Sequence, residues 1–268
     1  MKSRILVAVV GVPILLYVVL LGPPLLLMFA LALLAGVGGW ELYHCACGKG
    51  DDVLPVLSVL IPAGTVVWYY NGLEYMDVWF VMLALLVFYY AVFKGGAVRF
   101  VQIAATFFGG IAIGYAFSSF LRIYSSGLSR GYLLLPFLLS FACDTFAYFT
   151  GLAIGKHKLA PKVSPKKTVE GAVGGLAGNL VCGLVFAYVM NCWFGGSISY
   201  WPMAVLSLFC GAVAQLGDLS FSLIKREFGI KDYGKIFMAH GGVLDRFDSV
   251  LFVAPTLAAL MRILGITG

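Results

Sequence analysis

Apolar residues run in long unbroken blocks, and the polar ones collect in short gaps between them. The blocks occupy residues 5–21, 24–45, 53–70, 76–93, 101–123, 132–155, 171–194, 201–224 and 247–265. Each is close to the ~20 apolar residues that a helix needs to cross a bilayer. The gaps carry turn formers or charge, as at Gly22-Pro23-Pro24, Asn71-Gly72 and Lys94-Gly95-Gly96. This pattern predicts an all-α, polytopic integral membrane protein with about nine spans, of which the first two also suit a re-entrant pair.

Composition strengthens that reading. Of 268 residues, 62% are hydrophobic and 11% are charged, with a mean hydropathy of +0.99. A soluble domain is nearer 25% charged, so this chain cannot furnish a water-facing surface. Lys2 and Arg4 ahead of the first apolar block imitate a signal peptide, but no small-residue cleavage site follows, and the block is expected to remain as a span.

Charge then sets orientation. With the N-terminus inside, only Arg122, Arg130 and Arg262 of the 18 Lys and Arg residues fall outside. Basic residues favour the cytosolic side, which places the loops 156–170 and 225–246 in the cytosol of a cell-membrane protein. The net charge of +6 sits in these short loops, where it would meet anionic lipid or substrate rather than nucleic acid. The six cysteines fall mostly within apolar blocks and are read as packing thiols, with no disulfide framework and no zinc site.

Four GxxxG pairs (Gly110/Gly114, Gly151/Gly155, Gly171/Gly175 and Gly174/Gly178) have the spacing that brings helix backbones together, within one chain or in a homodimer. No internal repeat is evident. Residues 1–130 are expected to supply packing helices and a cavity wall, and residues 131–268 the catalytic region.

The candidate chemistry lies in that second half. Asp144 and Asp218 fall inside apolar blocks, where ionisable residues are costly and mark function by default. At the helical rise they lie roughly 16 Å and 10 Å along their helices from the adjoining basic loops. Asp245 and Asp248 stand i,i+3 at the start of the last span and share a helix face. Carboxylates gathered in this way favour a hard cation such as Mg²⁺, which commonly binds one or two carboxylates together with substrate phosphates. Lys166, Lys167, Lys225, Arg226, Lys231 and Arg246 are suited to clamping polyphosphate oxygens. Gly241 and Gly242, after His240, form a turn whose backbone N–H groups can approach an anion ahead of the last helix. Metal, polyphosphate and membrane together point to phosphoryl or nucleotidyl transfer to a lipid.

The stretch SLIKREFGIKDYGKIFMAHGGVLDRFD, from Ser222 to Asp248, resembles the signature of phosphatidate cytidylyltransferases, the CDP-diacylglycerol synthases. The matching positions are Ser222, Lys225-Arg226, Lys231-Asp232, Gly234, His240-Gly241-Gly242, Asp245-Arg246 and Asp248. Met238 departs from it, since the family usually has Pro or Gly there. A second block, from Asp144 through Gly155-Lys156 and Ser164-Pro165-Lys166-Lys167-Thr168 to Glu170-Gly171, is similar to the family too.

The resemblance implies that CTP and phosphatidic acid give CDP-diacylglycerol and pyrophosphate, with Mg²⁺ required and a second cation left open. It implies Asp218, Asp245 and Asp248 as metal ligands, with Asp144 as a fourth ligand or as an orienting partner for a lysine. Lys166, Lys167, Lys225 and Arg226 would hold the CTP phosphates or the lipid head group, and Arg246 the leaving pyrophosphate. His240 would order the glycine turn or move a proton. Ser164 and Thr168 would bind substrate or cap the helix that follows. A cytidylyltransferase for another lipid phosphate shares this chemistry, and an anion or nucleotide transporter would use the same charges differently. The D-G-x-x-A-R pattern of CDP-alcohol phosphotransferases is absent.

Overall fold

The computed structural model describes residues 9, 11–48, 53–72, 75–234, 236 and 241–266. Helices dominate: α1 (Gly11–Leu21), α2 (Pro24–Cys47), α3 (Val53–Tyr70), α4 (Met76–Phe93), α5 (Phe100–Ser125), α6 (Leu135–Ile154), α7 (Val169–Trp193), α8 (Tyr200–Glu227) and α9 (Leu244–Ile263). The breaks between them are those that Pro and Gly mark in the sequence. Pro24 opens α2 at a position where its missing N–H costs nothing, and Gly72, Gly127 and Gly195 take positive φ in the turns.

Among the described residues seven helices, α2 to α8, are long and apolar enough to cross a membrane, counting α6 with the short 3₁₀ turn Arg130–Leu134 before it. The all-α polytopic architecture is as expected, with seven of the roughly nine expected spans found among the described residues. The described part of the first block is the short helix α1. In α9 every 18-residue stretch contains at least three charged residues, because Asp245, Arg246 and Asp248 open the helix and Arg262 nearly closes it.

The chain forms two compact units. The first takes the residues to Leu121 together with Glu227–Phe247, and the second takes Arg122–Arg226 and the residues from Asp248 onward.

In the first unit, α2 lies along α3. Gly36 allows the approach, since a Cβ there would meet Val59 Cγ1 at 3.1 Å. Gly110 and Gly114 do the same for α5 against α3, where a Cβ at Gly114 would meet Pro62 O at 2.8 Å. Ile61, Leu83, Val87 and Ile103 form a buried apolar cluster beside Trp79. In the second unit, α6 lies along α7. A Cβ at Gly171 would meet Ala147 O at 2.7 Å, and one at Gly175 would meet Cys143 O at 2.9 Å. Without water to drive apolar association inside a bilayer, van der Waals fit at such seams holds the helices together. The close approach that the GxxxG pairs permit is therefore realised within one chain.

The loop 156–170 contains a small antiparallel hairpin, β1 (Lys158–Ala160) and β2 (Ser164–Thr168), with Lys158 opposite Thr168 and Ala160 opposite Ser164.

Candidate active site

The second unit gathers its charged groups from four elements. Asp144 comes from α6, Ser164, Lys166 and Lys167 from β2, Asp218, Lys225 and Arg226 from α8, and Asp248 from α9. Asp144, Asp218 and Asp248 lie within electrostatic reach of one another, with Lys167 opposing the charge at Asp144 and Lys225 opposing it at Asp248. Lys167 Nζ forms an ion pair with Asp218 Oδ2. Ser222 Oγ lies 3.4 Å from Asp218 Oδ1, one turn along α8. The Ser249 N–H donates to Asp248 Oδ1 at 2.7 Å.

Local packing explains why these groups meet. Gly217, just before Asp218, lets α8 and α9 touch, since a Cβ there would meet Asp248 O at 2.8 Å and Phe252 Cδ2 at 3.1 Å. Gln215 Nε2 donates to Ala172 O at 3.0 Å and so ties α8 to α7 one turn below Asp218.

The hairpin is anchored at both ends. Thr168 is the N-cap of α7, its Oγ1 accepting the Gly171 N–H at 3.1 Å, as Thr is favoured to do. Of the two roles open to Thr168, capping is the one its geometry fills. Glu170 Oε2 accepts the N–H groups of Lys156 (3.0 Å) and His157 (3.2 Å), while Oε1 lies 2.6 Å from His157 Nδ1. Arg226 Nε lies 3.5 Å from Val163 O at the hairpin turn. Lys166 and Arg226 are exposed, and Ser164, Lys167 and Lys225 are half-buried. The hairpin and the end of α8 thus bring basic side chains to the three acids, with Lys167 paired to Asp218 and Lys225 opposing the charge at Asp248.

The first unit holds a separate arrangement. Asp245 Oδ2 accepts the N–H groups of Tyr233 (2.7 Å) and Gly242 (3.0 Å). Gly241 takes φ +82°, and a Cβ there would meet Asp245 Oδ2 at 2.8 Å. The Gly242 N–H is thus directed to the protein's own acid, where the sequence suggested a substrate anion. Lys231 and Arg246 are exposed. His240 lies outside the described residues, as does Lys235.

Sequence reasoning missed Glu41. It is fully buried in α2, and its two carboxyl oxygens accept the N–H groups of Val243 (3.0 Å) and Leu244 (2.8 Å). The available signal was composition, since Glu41 is the one charged residue between Pro24 and Cys47.

Oxygen donors of this kind suit a hard cation. Among the described residues no three His, Cys, Asp or Glu side chains converge as a ready metal cage.

Residues 2–264 match the sequence profile of the cytidylyltransferase family. The chain belongs to that family. This cytidylyltransferase is therefore an enzyme of the nucleotidyltransferase class, and the transporter alternative gives way. It is 34% identical over 267 residues to the phosphatidate cytidylyltransferase of Staphylococcus saprophyticus, an alignment covering 97% of this chain and 99% of that protein. The phosphatidate cytidylyltransferase of Staphylococcus haemolyticus is also 34% identical at the same coverage. That of Staphylococcus epidermidis is 33% identical over 271 residues. The resemblance seen in Asp144–Gly171 and Ser222–Asp248 thus extends through the N-terminal half of the enzyme.

Proposed function

We propose that this cytidylyltransferase makes CDP-diacylglycerol and pyrophosphate from CTP and phosphatidate, at the cytosolic face of the cell membrane, in phospholipid synthesis. The observation that carries the reading is the cluster of Asp144, Asp218 and Asp248 with Lys167 and Lys225, on a chain alignable end to end with phosphatidate cytidylyltransferases.

A phosphatidate oxygen forms a bond to the α-phosphorus of CTP. The bond from that phosphorus to the bridging oxygen of the β-phosphate breaks, and pyrophosphate leaves with the electron pair. The attacking phosphate is already anionic, so no side-chain nucleophile is required. The residues align the two anions and offset their repulsion. Lys166, Lys167, Lys225 and Arg226 are assigned to the CTP phosphates and lipid head group, and Arg246 to pyrophosphate. Lys167 would exchange its bond to Asp218 for one to phosphate.

Asp144, Asp218 and Asp248 are assigned to Mg²⁺, with a second cation sharing them if the reaction uses one. When bound, Mg²⁺ supplies positive charge to the phosphate oxygens. Asp245 is assigned to holding the backbone at Tyr233 and Gly242, because Oδ2 already accepts those two N–H groups.

The test is a substrate panel in mixed micelles containing purified enzyme, labelled CTP and Mg²⁺. Phosphatidate, its ether-linked analogue and lysophosphatidate would each be offered. The proposal expects CDP-diacylglycerol and pyrophosphate in equal amounts, with phosphatidate preferred. Folded enzyme that binds CTP and forms neither product from phosphatidate would refute it.

A further inference from the structure

The buried acid of α2 lies more than 180 residues from the sequence that resembles a cytidylyltransferase signature, yet it bonds to the backbone of that signature. Glu41 is 0% exposed. Oε1 accepts from Val243 N and Oε2 from Leu244 N, so one carboxyl group satisfies two of the orphan N–H groups at the start of α9. Such N–H groups are ordinarily met by an Asp, Ser or Thr of the same helix. Here residue 243 is Val, and the acceptor comes from another helix.

Steric evidence agrees with the bonding. A Cβ at Gly242 would lie 2.5 Å from Glu41 Cδ and 2.6 Å from Oε2. One at Gly234 would lie 3.0 Å from Glu41 Cδ. Both glycines leave room for this carboxyl group, and neither takes positive φ, so space rather than backbone conformation requires them. From the other side, Asp245 Oδ2 accepts from Tyr233 N and Gly242 N. Two acids therefore hold the backbone at the start of α9. The consecutive amides of residues 242, 243 and 244 are committed to them, together with that of Tyr233.

We infer that Glu41 is a positioning residue for the cytidylyl transfer: it acts as the N-cap of α9 from a distance and fixes the backbone that carries Gly241, Asp245 and Arg246. The inference rests on the proposed function, in which the segment from Lys231 to Asp248 serves the reaction.

A Glu41→Gln enzyme keeps the size of the side chain but turns one acceptor into a donor facing an N–H group. The expected result is a kcat at least tenfold lower with KM for CTP changed less than threefold. The unfolding temperature in detergent stays within a few degrees, and amide exchange quickens over residues 241–246. A second measurement uses the steric fit. Gly242→Ala should lose activity, and Glu41→Asp in the same chain, which draws the carboxyl group back, should restore at least threefold of it. Wild-type kcat in Glu41→Gln would overturn the inference, as would activity lost only in proportion to folded protein. So would a Gly242→Ala defect indifferent to Glu41→Asp. If the unaltered enzyme made no CDP-diacylglycerol, the proposed function would fail first, and the exchange measurement would still report whether Glu41 holds the segment.

Discussion

Lys167 of β2 and Asp218 of α8 form an ion pair whose side chains are only 24% and 25% exposed. A pair so placed links the hairpin to the acidic cluster, and removing one partner strands the other in partly desolvated surroundings. Lys167→Met should therefore lower kcat at least tenfold, equivalent to ~1.4 kcal/mol of transition-state stabilisation. Exchanging the two charges, with Lys167→Asp and Asp218→Lys together, should not restore the rate, because the acid at 218 serves more than the pair. Steady-state kinetics of the single and double variants decide this.

The metal assignment leads to a titration. Chelating Mg²⁺ should abolish turnover, and restoring it should recover the full rate. Asp144→Asn and Asp248→Asn should each raise the Mg²⁺ concentration for half-maximal rate by about tenfold, the loss expected when a charged ligand or its near partner is neutralised. Asp232→Asn, an exposed loop position, should leave that concentration unchanged.

The seam between α6 and α7 predicts a stability change separate from catalysis. Gly175→Val would press a branched side chain against Cys143 O and the Ala147 methyl, 2.9 Å and 3.1 Å from where its Cβ must sit. Overpacking of this kind costs about 1–3 kcal/mol. The unfolding temperature in detergent should fall. Val173→Ala, at an outward-facing position 61% exposed, should leave it unchanged.

Capping by Thr168 gives a graded expectation. Thr168→Ala removes the acceptor for Gly171 N and should destabilise the enzyme by ~1 kcal/mol, whereas Thr168→Ser keeps the oxygen and most of the stability. Thermal unfolding of the two variants, side by side, provides the comparison.

The apolar blocks made much of this architecture legible. The ends of α3 and α4 fall where the blocks at 53–70 and 76–93 end, because Gly, Asn and charge interrupt the sequence there. The hairpin was hidden, since LAPKVSPKK offers few β-branched residues and its strands are held by Glu170 and Thr168 at their base. At the two ends the sequence says less about spans, because the last block opens on Asp245, Arg246 and Asp248 and carries Arg262 near its close. Within the site, Asp144, Asp218 and Asp248 announced themselves as acids in apolar surroundings. Glu41 met the same criterion, but its partners are backbone amides that no side-chain pattern advertises, 202 and 203 residues away.

The central claim is transfer of the cytidylyl group, and the most direct measurement follows the phosphorus atoms. Enzyme in phosphatidate micelles with Mg²⁺ would receive CTP labelled at the α-phosphorus in one sample and at the γ-phosphorus in another. The account predicts α-label in the lipid phase, γ-label in aqueous pyrophosphate, and equal amounts of each. Label from the γ-phosphorus in the lipid, or α-label released only as water-soluble CMP, would contradict it.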